Sequence, residues 1–499
     1  MWWYRSVRHV RALFVVCLAA AAGVPSASAL LPGAAEAAGP TLDARVGSAL
    51  DRTAHRTVGV SCAVWDAATG RRVFVRGGDV PRRTASVMKL ATTGAALLAL
   101  GADHELETVL RATAQPQGGV LEGDLVVEGF GDPGLSTHLA EGGAEGAVAQ
   151  LAHAVRERGV RTVRGDLIVD TSAFPGPDRH PGWGWQEGRY DWYMAPVTAL
   201  TLNDACIDVN VLPGTAVGAP ARLTVTPANG LVAFENRLTT VADRKKHVVA
   251  FDRAADGRIP VRGAVWTGST GFDTSLACVD PPALLGDVLA RALAREGVTL
   301  EGSVRVLRGP PAASWPRPEP RPGVVLARHA TPLGDAVRVT NRRSQNLWAE
   351  LLLRSLGVEL EHDGSFQGGC RAVARTLALP AGTQFTQVDG SGLARENVAQ
   401  VGALGAVLLQ LYASPQRLVF MDSLARGGDP EGTLHDRFKG ARYEGRVLAK
   451  TGTLRDTSAL AGFVRRDDGT VLVFVILCEG PVWRARTLQD AVVDALLAR

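Results

Sequence analysis

Ser86 and Lys89 begin an apolar, alanine-rich stretch and are spaced so that they could act together chemically. Three residues is just under one helical turn, so a helix here places both side chains on one face. Serine attacks poorly until a base removes its proton, and lysine becomes such a base when burial lowers its pKa. The chain has only five lysines, and this is its only S-x-x-K. The pair predicts a serine nucleophile with a lysine as its general base.

Ser344 and Asn346 form the only S-x-N of the chain and could supply a hydroxyl and an amide to a substrate. The hydroxyl can pass on a proton, and the amide can bond a peptide group. Standing alone, the same residues would be a helix-capping serine and a surface asparagine. The apolar pattern around them predicts one helix over 333–356.

The third candidate is the K-T-G-T from Lys450 to Thr453, which follows the apolar, strand-like run 446–449. On an edge strand, Lys450 and the hydroxyls of Thr451 and Thr453 would project into a cleft. Gly452 has no side chain and would let a substrate backbone approach closely. Together these groups could hold the anionic end of a substrate.

In this order the three motifs are the S-x-x-K, S-x-N and K-T-G set of serine penicillin-recognising enzymes. The long stretch between the first two is unlike β-lactamases and can hold inserted domains. The sequence resembles the D-alanyl-D-alanine carboxypeptidase/endopeptidase family, the low-molecular-mass class C penicillin-binding proteins (peptidase family S13). The resemblance runs from about residue 41 to the C-terminus, and further segments that carry it are 129–135, 195–204, 389–397 and 432–437.

The resemblance implies acyl transfer in two steps. Ser86 would attack the carbonyl of the penultimate D-alanine of a peptidoglycan stem peptide while neutral Lys89 takes its proton. Ser344 would relay the proton to the departing amine, and Asn346 would bond the substrate's peptide group. Backbone N–H groups of Ser86 and Thr453 would form the oxyanion hole. Water would then hydrolyse the acyl-serine, without a metal or organic cofactor.

The resemblance also implies how the substrate is held. Lys450, Thr451 and Thr453 would bind its terminal carboxylate, beside Gly452. Glu187 stands where the family commonly has an aspartate that meets the free amine of the stem peptide's diamino acid. β-Lactams present the same kind of amide beside a carboxylate, so they would acylate the serine and leave slowly.

Three functions stay open on the sequence. The first is a peptidoglycan hydrolase, acting as a carboxypeptidase, an endopeptidase or both. The second is a β-lactamase or esterase, against which the long insertion and the lack of a recognisable deacylating glutamate argue. The third is a non-catalytic wall-binding scaffold, which would have no need of Lys89. The G-x-G-x-x-G at 129–134 is interrupted by Pro133, so it predicts no dinucleotide site.

The predicted helices and strands that must position these residues indicate an α/β (α+β) fold. The resemblance implies a domain like that of serine β-lactamases and penicillin-binding proteins, an antiparallel sheet flanked by helices. We expect this catalytic domain to be assembled from 41–101 and 324–499. Residues 102–308 would form a large β-rich insertion of one domain or of two nested domains, and the proline-dense stretch 309–323 would be a linker.

Residues 1–29 have the pattern of a secretory signal: arginines, a short apolar stretch and an A-S-A site ending at Ala29. The pattern predicts a secreted or periplasmic protein without a membrane span after cleavage; a retained anchor helix is the alternative. The net charge of +4 is spread along the chain and does not indicate a nucleic-acid partner. The oligomeric state stays open.

Five cysteines follow the predicted leader, and none has metal-ligand spacing. An odd number permits at most two disulfides. Cys206 and Cys278 fall in one segment and are the first pair to test for a disulfide. Five buried thiols are the alternative.

Overall fold

The computed structural model of the chain describes residues 41–52, 57–184, 190–252, 258–309 and 323–498. The predicted signal, nearly all of the predicted linker and Glu187 lie outside these described residues. Within them, no helix combines the length and the apolar character that crossing a membrane requires.

After a first helix, the N-terminal part of the described chain forms a hairpin and then a buried helix, which follows the alanine-rich stretch that begins at Ser86. A 3-10 turn precedes this helix, and Gly101, with φ of 82°, ends it. The elements are α1 (Leu42–Arg52), β1 (Gly59–Asp66), β2 (Arg72–Arg76), β3 (Arg82–Arg83) and α2 (Lys89–Leu100).

The inserted region contains the predicted short strands and, in addition, two helices of 15 residues each. Both helices pack their apolar faces into the core of this region. The elements are β4 (Glu105–Ala112), β5 (Val120–Leu121), β6 (Leu125–Gly129), α3 (Gly143–Glu157), β7 (Thr162–Val163), β8 (Leu167–Asp170), β9 (Cys206–Leu212), β10 (Arg222–Thr226), β11 (Phe234–Val241), β12 (Val248–Phe251), β13 (Ile259–Trp266), β14 (Phe272–Ala277), α4 (Pro281–Arg295), β15 (Thr299–Leu300) and β16 (Val304–Leu307).

The C-terminal segment begins with a long strand, continues as helices and ends in three long strands and a helix. The elements are β17 (Val324–Pro332), α5 (Leu333–Arg342), α6 (Asn346–Glu361), α7 (Phe366–Leu377), β18 (Phe385–Thr386), β19 (Val398–Ala399), α8 (Val401–Ala413), α9 (Arg417–Ser423), β20 (Ala425–Arg426), β21 (Val447–Leu454), β22 (Thr457–Arg465), β23 (Val471–Glu479) and α10 (Val482–Leu497).

The two ends of the described chain meet in one antiparallel sheet, with strand order β2-β1-β23-β22-β21-β20. One face packs against α8 in a core that also includes α2, and the other packs against α1 and α10. Helices therefore cover both faces, which confirms the predicted fold class. β20 covers only the start of β21, so the K-T-G-T end of β21 is a free edge on that side.

A second sheet of the order β16-β8-β6-β4-β17 forms in the inserted region. Its last strand, β17, lies beyond the predicted linker and pairs with β4 along nearly its whole length. The second sheet therefore extends to Pro332, beyond residue 324, where the sequence predicts that the catalytic domain resumes. Two three-stranded sheets, β10-β9-β14 and β11-β13-β12, come between β8 and α4 in chain order.

Two predicted helices have different bounds in the structure. The single helix expected over 333–356 is interrupted between α5 and α6, because Ser344 has φ of 61° and a right-handed helix cannot continue through it. The sequence pattern over 397–412 also predicts a helix, and the observed helix begins only at Val401, after the short strand β19. The first difference matters because it lies inside the S-x-N motif.

All five cysteines of the described residues are free thiols. Cys206 lies opposite Ala277 in the β9–β14 pairing, so it is a neighbour of Cys278 without being bonded to it. The predicted bridge is therefore absent among the described residues, and the alternative of free thiols is the one observed. Burial raises the pKa of the Cys278 thiol to about 11.

Candidate active site

Ser86 and Lys89 lie together where the 3-10 turn Ala85–Met88 passes into α2. The Nζ of Lys89 is 2.9 Å from the Oγ of Ser86. Lys89 is fully buried, whereas Ser86 is partly exposed to the cleft. Ala85, just before the serine, has φ of 46°, a left-handed conformation that costs a non-glycine residue about 1–2 kcal/mol. The fold therefore holds the serine on a strained turn.

Lys89 makes two further contacts, which together determine where its amine can point. Its Nζ donates to the Oδ1 of Asn346 at 2.7 Å and to the carbonyl of Ser391 at 2.9 Å. A neutral amine has two N–H bonds and one lone pair. These two acceptors use both N–H bonds, so the lone pair is left facing the Ser86 hydroxyl.

The electrostatics of the site favour that neutral amine. Desolvation lowers the pKa of Lys89 to about 7, although the negative charges of Glu350 and Asp389 oppose the shift. The pKa of Lys450 is also lowered well below its ordinary value, by burial first and then by the charge of Lys89. The sequence expectation that burial would lower the pKa of Lys89 agrees with this direction.

Ser344 lies in the gap between α5 and α6 and faces the second buried lysine. The Nζ of Lys450 donates to the Oγ of Ser344 at 2.7 Å and to the carbonyl of Thr451 at 3.0 Å. In a continuous helix over 333–356, the direction of the Ser344 side chain would have been set by the regular helical spacing. The interruption instead turns the hydroxyl toward Lys450 on β21.

The K-T-G-T segment runs beside Ser86. A Cβ on Gly452 would come within 3.0 Å of the Ser86 nitrogen and 2.9 Å of the Thr84 carbonyl, so only glycine lets the strand lie this close. The hydroxyl of Thr451 donates to that of Thr433 at 2.8 Å. Thr453 is exposed at the outer end of the segment.

One cleft of about 750 Å³ gathers the predicted residues that reach the surface. Ser86, Ser344 and Asn346 line it together with the segment 451–453, while Lys89 and Lys450 lie beneath it. The structure thus brings together three motifs that are remote in sequence. Glu187 lies outside the described residues.

A family model described as the D-Ala-D-Ala carboxypeptidase 3 (S13) family matches residues 42–498. The chain belongs to this family. The S13 peptidase is 35% identical over 445 residues to the D-alanyl-D-alanine carboxypeptidase of an Actinomadura species, an alignment that covers 86% of this chain and 79% of that one.

Among solved structures, the S13 peptidase is similar in fold to penicillin-binding protein 4 (dacB) from Haemophilus influenzae. The TM-score is 0.75 at 23% identity, with 91% of this chain and 99% of that one covered. A crystal structure of the same Haemophilus protein complexed with a novel β-lactam gives a TM-score of 0.71 at 22% identity, covering 91% of this chain and 100% of that one.

The S13 peptidase also has buried polar residues near the site that the sequence reasoning missed. Asn346, Glu350 and Arg354 follow one another at intervals of four along α6, which places them on one helix face. Glu350 accepts hydrogen bonds from the backbone nitrogens of Gly390 and Ser391 at 2.6 and 2.8 Å. It thereby positions the Ser391 carbonyl that receives Lys89. The spacing of four residues between these polar side chains was the signal in the sequence that could have identified Glu350 and Arg354.

Arg354 continues this line and ties α6 to the inserted region. It is fully buried and donates to the carbonyls of Val197, Pro175 and Gly364. Its guanidinium also lies 4.7 Å from the ring centroid of Phe174. An arginine bonded to carbonyls in this way orients α6, and with it Asn346.

The inserted region holds the S-x-N loop from the other side. Gln345 turns away from the catalytic cleft, and its amide donates to the Oδ2 of Asp204 at 2.8 Å. The indole of Trp348 donates to the Oδ1 of the same carboxylate at 2.7 Å. Asn346 donates to the Tyr193 carbonyl at 3.0 Å. The inserted region is therefore part of the support of the site.

Proposed function

We propose that this chain is a serine D,D-peptidase that cleaves the terminal D-alanine from peptidoglycan stem peptides and also hydrolyses their crosslinks, through an acyl-Ser86 intermediate. The observation that carries the proposal is the environment of Lys89, a buried amine whose two other acceptors direct its lone pair at Ser86. A general base with a pKa near the working pH is well matched to this task.

In the acylation half, Ser86 Oγ attacks the carbonyl carbon of the penultimate D-alanine, and its proton goes to Lys89 Nζ. The negative oxygen that forms is stabilised by the backbone N–H groups of Ser86 and Thr453, each worth about 3 kcal/mol. The scissile C–N bond then breaks, and Ser344 relays to the departing amine the proton that Lys89 has taken, so that Lys89 is neutral again and Ser344 keeps its hydroxyl. Asn346 holds the substrate's peptide group during these steps.

In the deacylation half, water attacks the ester carbonyl and its proton returns through Lys89, so that the acid product leaves and Ser86 regains its hydrogen. No redox step is involved, and each proton taken up is given back. The hydroxyls of Thr451 and Thr453 bind the terminal carboxylate at the outer end of β21. Glu187 remains our candidate for the stem peptide's free amine.

The same constellation supports reaction with β-lactams. A β-lactam carries a strained amide beside a carboxylate, so Ser86 would open the ring and stay acylated. Relatives of similar sequence are named as carboxypeptidases, and one of similar fold was crystallised with a β-lactam. A non-catalytic scaffold would have no use for an amine buried against a serine at a cost of several kcal/mol in desolvation.

We also propose an extracytoplasmic location. Peptidoglycan lies outside the cytoplasmic membrane, and residues 1–29 have the pattern of a secretory signal cleaved after Ala29. Secretion of a fusion that carries these residues, and retention of one that lacks them, would test this location.

A fluorescent penicillin tests the assignment of Ser86. Purified wild-type protein should become covalently labelled, Ser86→Ala should not, and the control Ser48→Ala, at an exposed position on α1, should label like the wild type. Circular dichroism would establish that Ser86→Ala remains folded. Labelling of Ser86→Ala would disprove the assignment, and a wild-type protein that never labels would favour the scaffold.

Purified muropeptides separate the two peptidase activities. Release of D-alanine from a monomeric pentapeptide, followed by mass spectrometry, reports the carboxypeptidase. Conversion of crosslinked dimers into monomers reports the endopeptidase. Loss of both reactions in Ser86→Ala would assign them to the same serine.

A further inference from the structure

The outer end of the K-T-G-T segment has an arginine beside it. Arg486 lies on α10, in the second turn, and its Nη2 donates to the Oγ1 of Thr453 at 3.4 Å. Arg486 is exposed and lines the same cleft as Ser86 and Thr451. It therefore places a positive charge where β21 presents its hydroxyls.

Lys450 cannot supply that charge from its position. It is fully buried, and its Nζ donates to Ser344 Oγ and to the Thr451 carbonyl. Burial and the neighbouring Lys89 also lower its pKa, which reduces its positive charge. The sequence expectation that Lys450 holds the substrate's carboxylate therefore does not fit the direction in which its amine points.

Arg343 and Arg455 also line the cleft, but of these three arginines Arg486 is the one that donates to the K-T-G-T segment among the described residues. Two further charged side chains of the cleft are already engaged. Arg437 donates to the carboxylate of Asp490, with its Nε at 2.9 Å. Asp436 accepts from Lys439 at 3.0 Å. Arg486, by contrast, has no carboxylate within ion-pair distance among the described residues. Its guanidinium is thus available to an anion in the cleft.

We propose that Arg486 is a specificity-determining residue that binds the carboxylate of the leaving amino acid, next to the hydroxyls of Thr451 and Thr453. The proposal rests on the proposed function and extends it, because it assigns the substrate's charge to a residue outside the three motifs. A planar guanidinium can bond both oxygens of a carboxylate. The substrates favoured would be those whose departing amine carries a neighbouring free carboxylate.

The requirement for a free carboxylate next to the departing amine applies to both proposed reactions. A terminal D-alanine leaves with its amine one carbon away from a carboxylate. A crosslink that ends on the α-amine of an amino acid leaves with the same arrangement. Peptides whose terminal carboxylate is converted into an amide keep the scissile bond and lose only the charge. The difference between acid and amide, compared in the wild type and in an Arg486 variant, therefore isolates the contribution of Arg486.

The test compares kcat/KM for a D-Ala-D-Ala peptide and for its C-terminal amide in four proteins: wild type, Arg486→Gln, Arg486→Lys and the control Arg484→Gln. Arg484 lies on the same helix but donates to Thr57, away from the cleft. Arg486→Gln should lose about ten- to a hundredfold on the free acid and change little on the amide. Arg486→Lys should recover part of the loss, and Arg484→Gln should match the wild type.

An equal loss on acid and amide, or no loss on either, would overturn the proposal. A second comparison uses penicillin and its methyl ester, and it measures the acylation of Ser86 without peptide turnover. Arg486→Gln should slow acylation by penicillin, the free acid, and leave acylation by the methyl ester unchanged. If the wild type acylates with penicillin but cleaves no peptide, the peptidase function fails while the penicillin pair still decides the role of Arg486.

Discussion

At the scale of single residues, the two buried lysines set the chemistry of the site. A lysine in water keeps its proton to high pH, so it cannot accept one from serine. Lys89 and Lys450 are both buried, and the charge on Lys89 further lowers the pKa of Lys450. Glu350 and Asp389 act in the opposite direction on Lys89 and keep its pKa at about 7. Without them the amine would be a weaker base.

The pH dependence of acylation follows from this value. The base must be neutral, and the pKa of Lys89 is lowered from 10.5 to about 7, so the neutral fraction is small below pH 7 and nearly complete above pH 8. We expect kcat/KM for acylation by a β-lactam to rise tenfold per pH unit below about 7 and then to level off. Stopped-flow acylation between pH 5 and 9 would measure it.

The control for this pH profile is a measurement of whether the protein stays folded. Circular dichroism across the same pH range must remain constant, so that a falling rate reports the titration of the base. A rate that is flat from pH 5 to 9, or one that rises only near pH 10, would contradict Lys89 as a base with a lowered pKa.

At the scale of elements, the break between α5 and α6 places a hydroxyl in the cleft. Helix propensity favoured one helix over 333–356, yet Ser344 adopts a left-handed conformation there. The contacts that hold it lie on other elements: Lys450 on β21 bonds its hydroxyl, and Asp204 bonds Gln345 beside it. Tertiary bonds thus override the local preference.

Substitutions at Ser344 separate its backbone role from its chemical role. Ser344→Ala and Ser344→Gly both remove the hydroxyl, so both should strongly reduce peptide turnover. Glycine accepts φ of 61° without strain and alanine does not, so Ser344→Gly should be more stable than Ser344→Ala by about 1 kcal/mol. Urea denaturation measures the difference. Equal stabilities, or a more stable alanine variant, would contradict a strained serine.

At the scale of the whole molecule, the inserted region and the catalytic sheet meet at the S-x-N loop. Asp204 receives the side chains of Gln345 and Trp348, and its Oδ2 lies 2.8 Å from the Nε2 of His138. Arg354 adds a bond to the Val197 carbonyl. The site therefore depends on residues from both parts of the chain, although the three motifs lie outside the inserted region.

Asp204→Ala tests this dependence. It leaves the donors of Gln345 and Trp348 without their acceptor, which should destabilise the fold by about 1–3 kcal/mol. Peptide turnover should fall about tenfold through misplacement of Asn346. Asp273→Ala is the matched control, since Asp273 is exposed and bonds Asn210. Thermal unfolding and kcat/KM are the measurements; an Asp204→Ala that behaves like Asp273→Ala would contradict the coupling.

The sequence by itself determined those features that depend on short spacing and on order. Ser86 and Lys89 are one helical turn apart, so their contact follows from local geometry alone. The order of the three motifs identified the family, and the apolar run 446–449 predicted the strand that carries the K-T-G-T segment. The charge and the lysine count were also readable directly, because they require no contacts.

Only the tertiary structure decided which distant groups meet. Asn346 reaches Lys89 across 257 positions, and Arg486 reaches Thr453 across 33. Glu350 becomes a support of the base only because α6 packs beside the turn at Gly390. Such contacts arise from how whole elements pack, and local propensity carries no information about them. The lowered pKa of Lys89 has the same origin, because burial is a property of the folded chain.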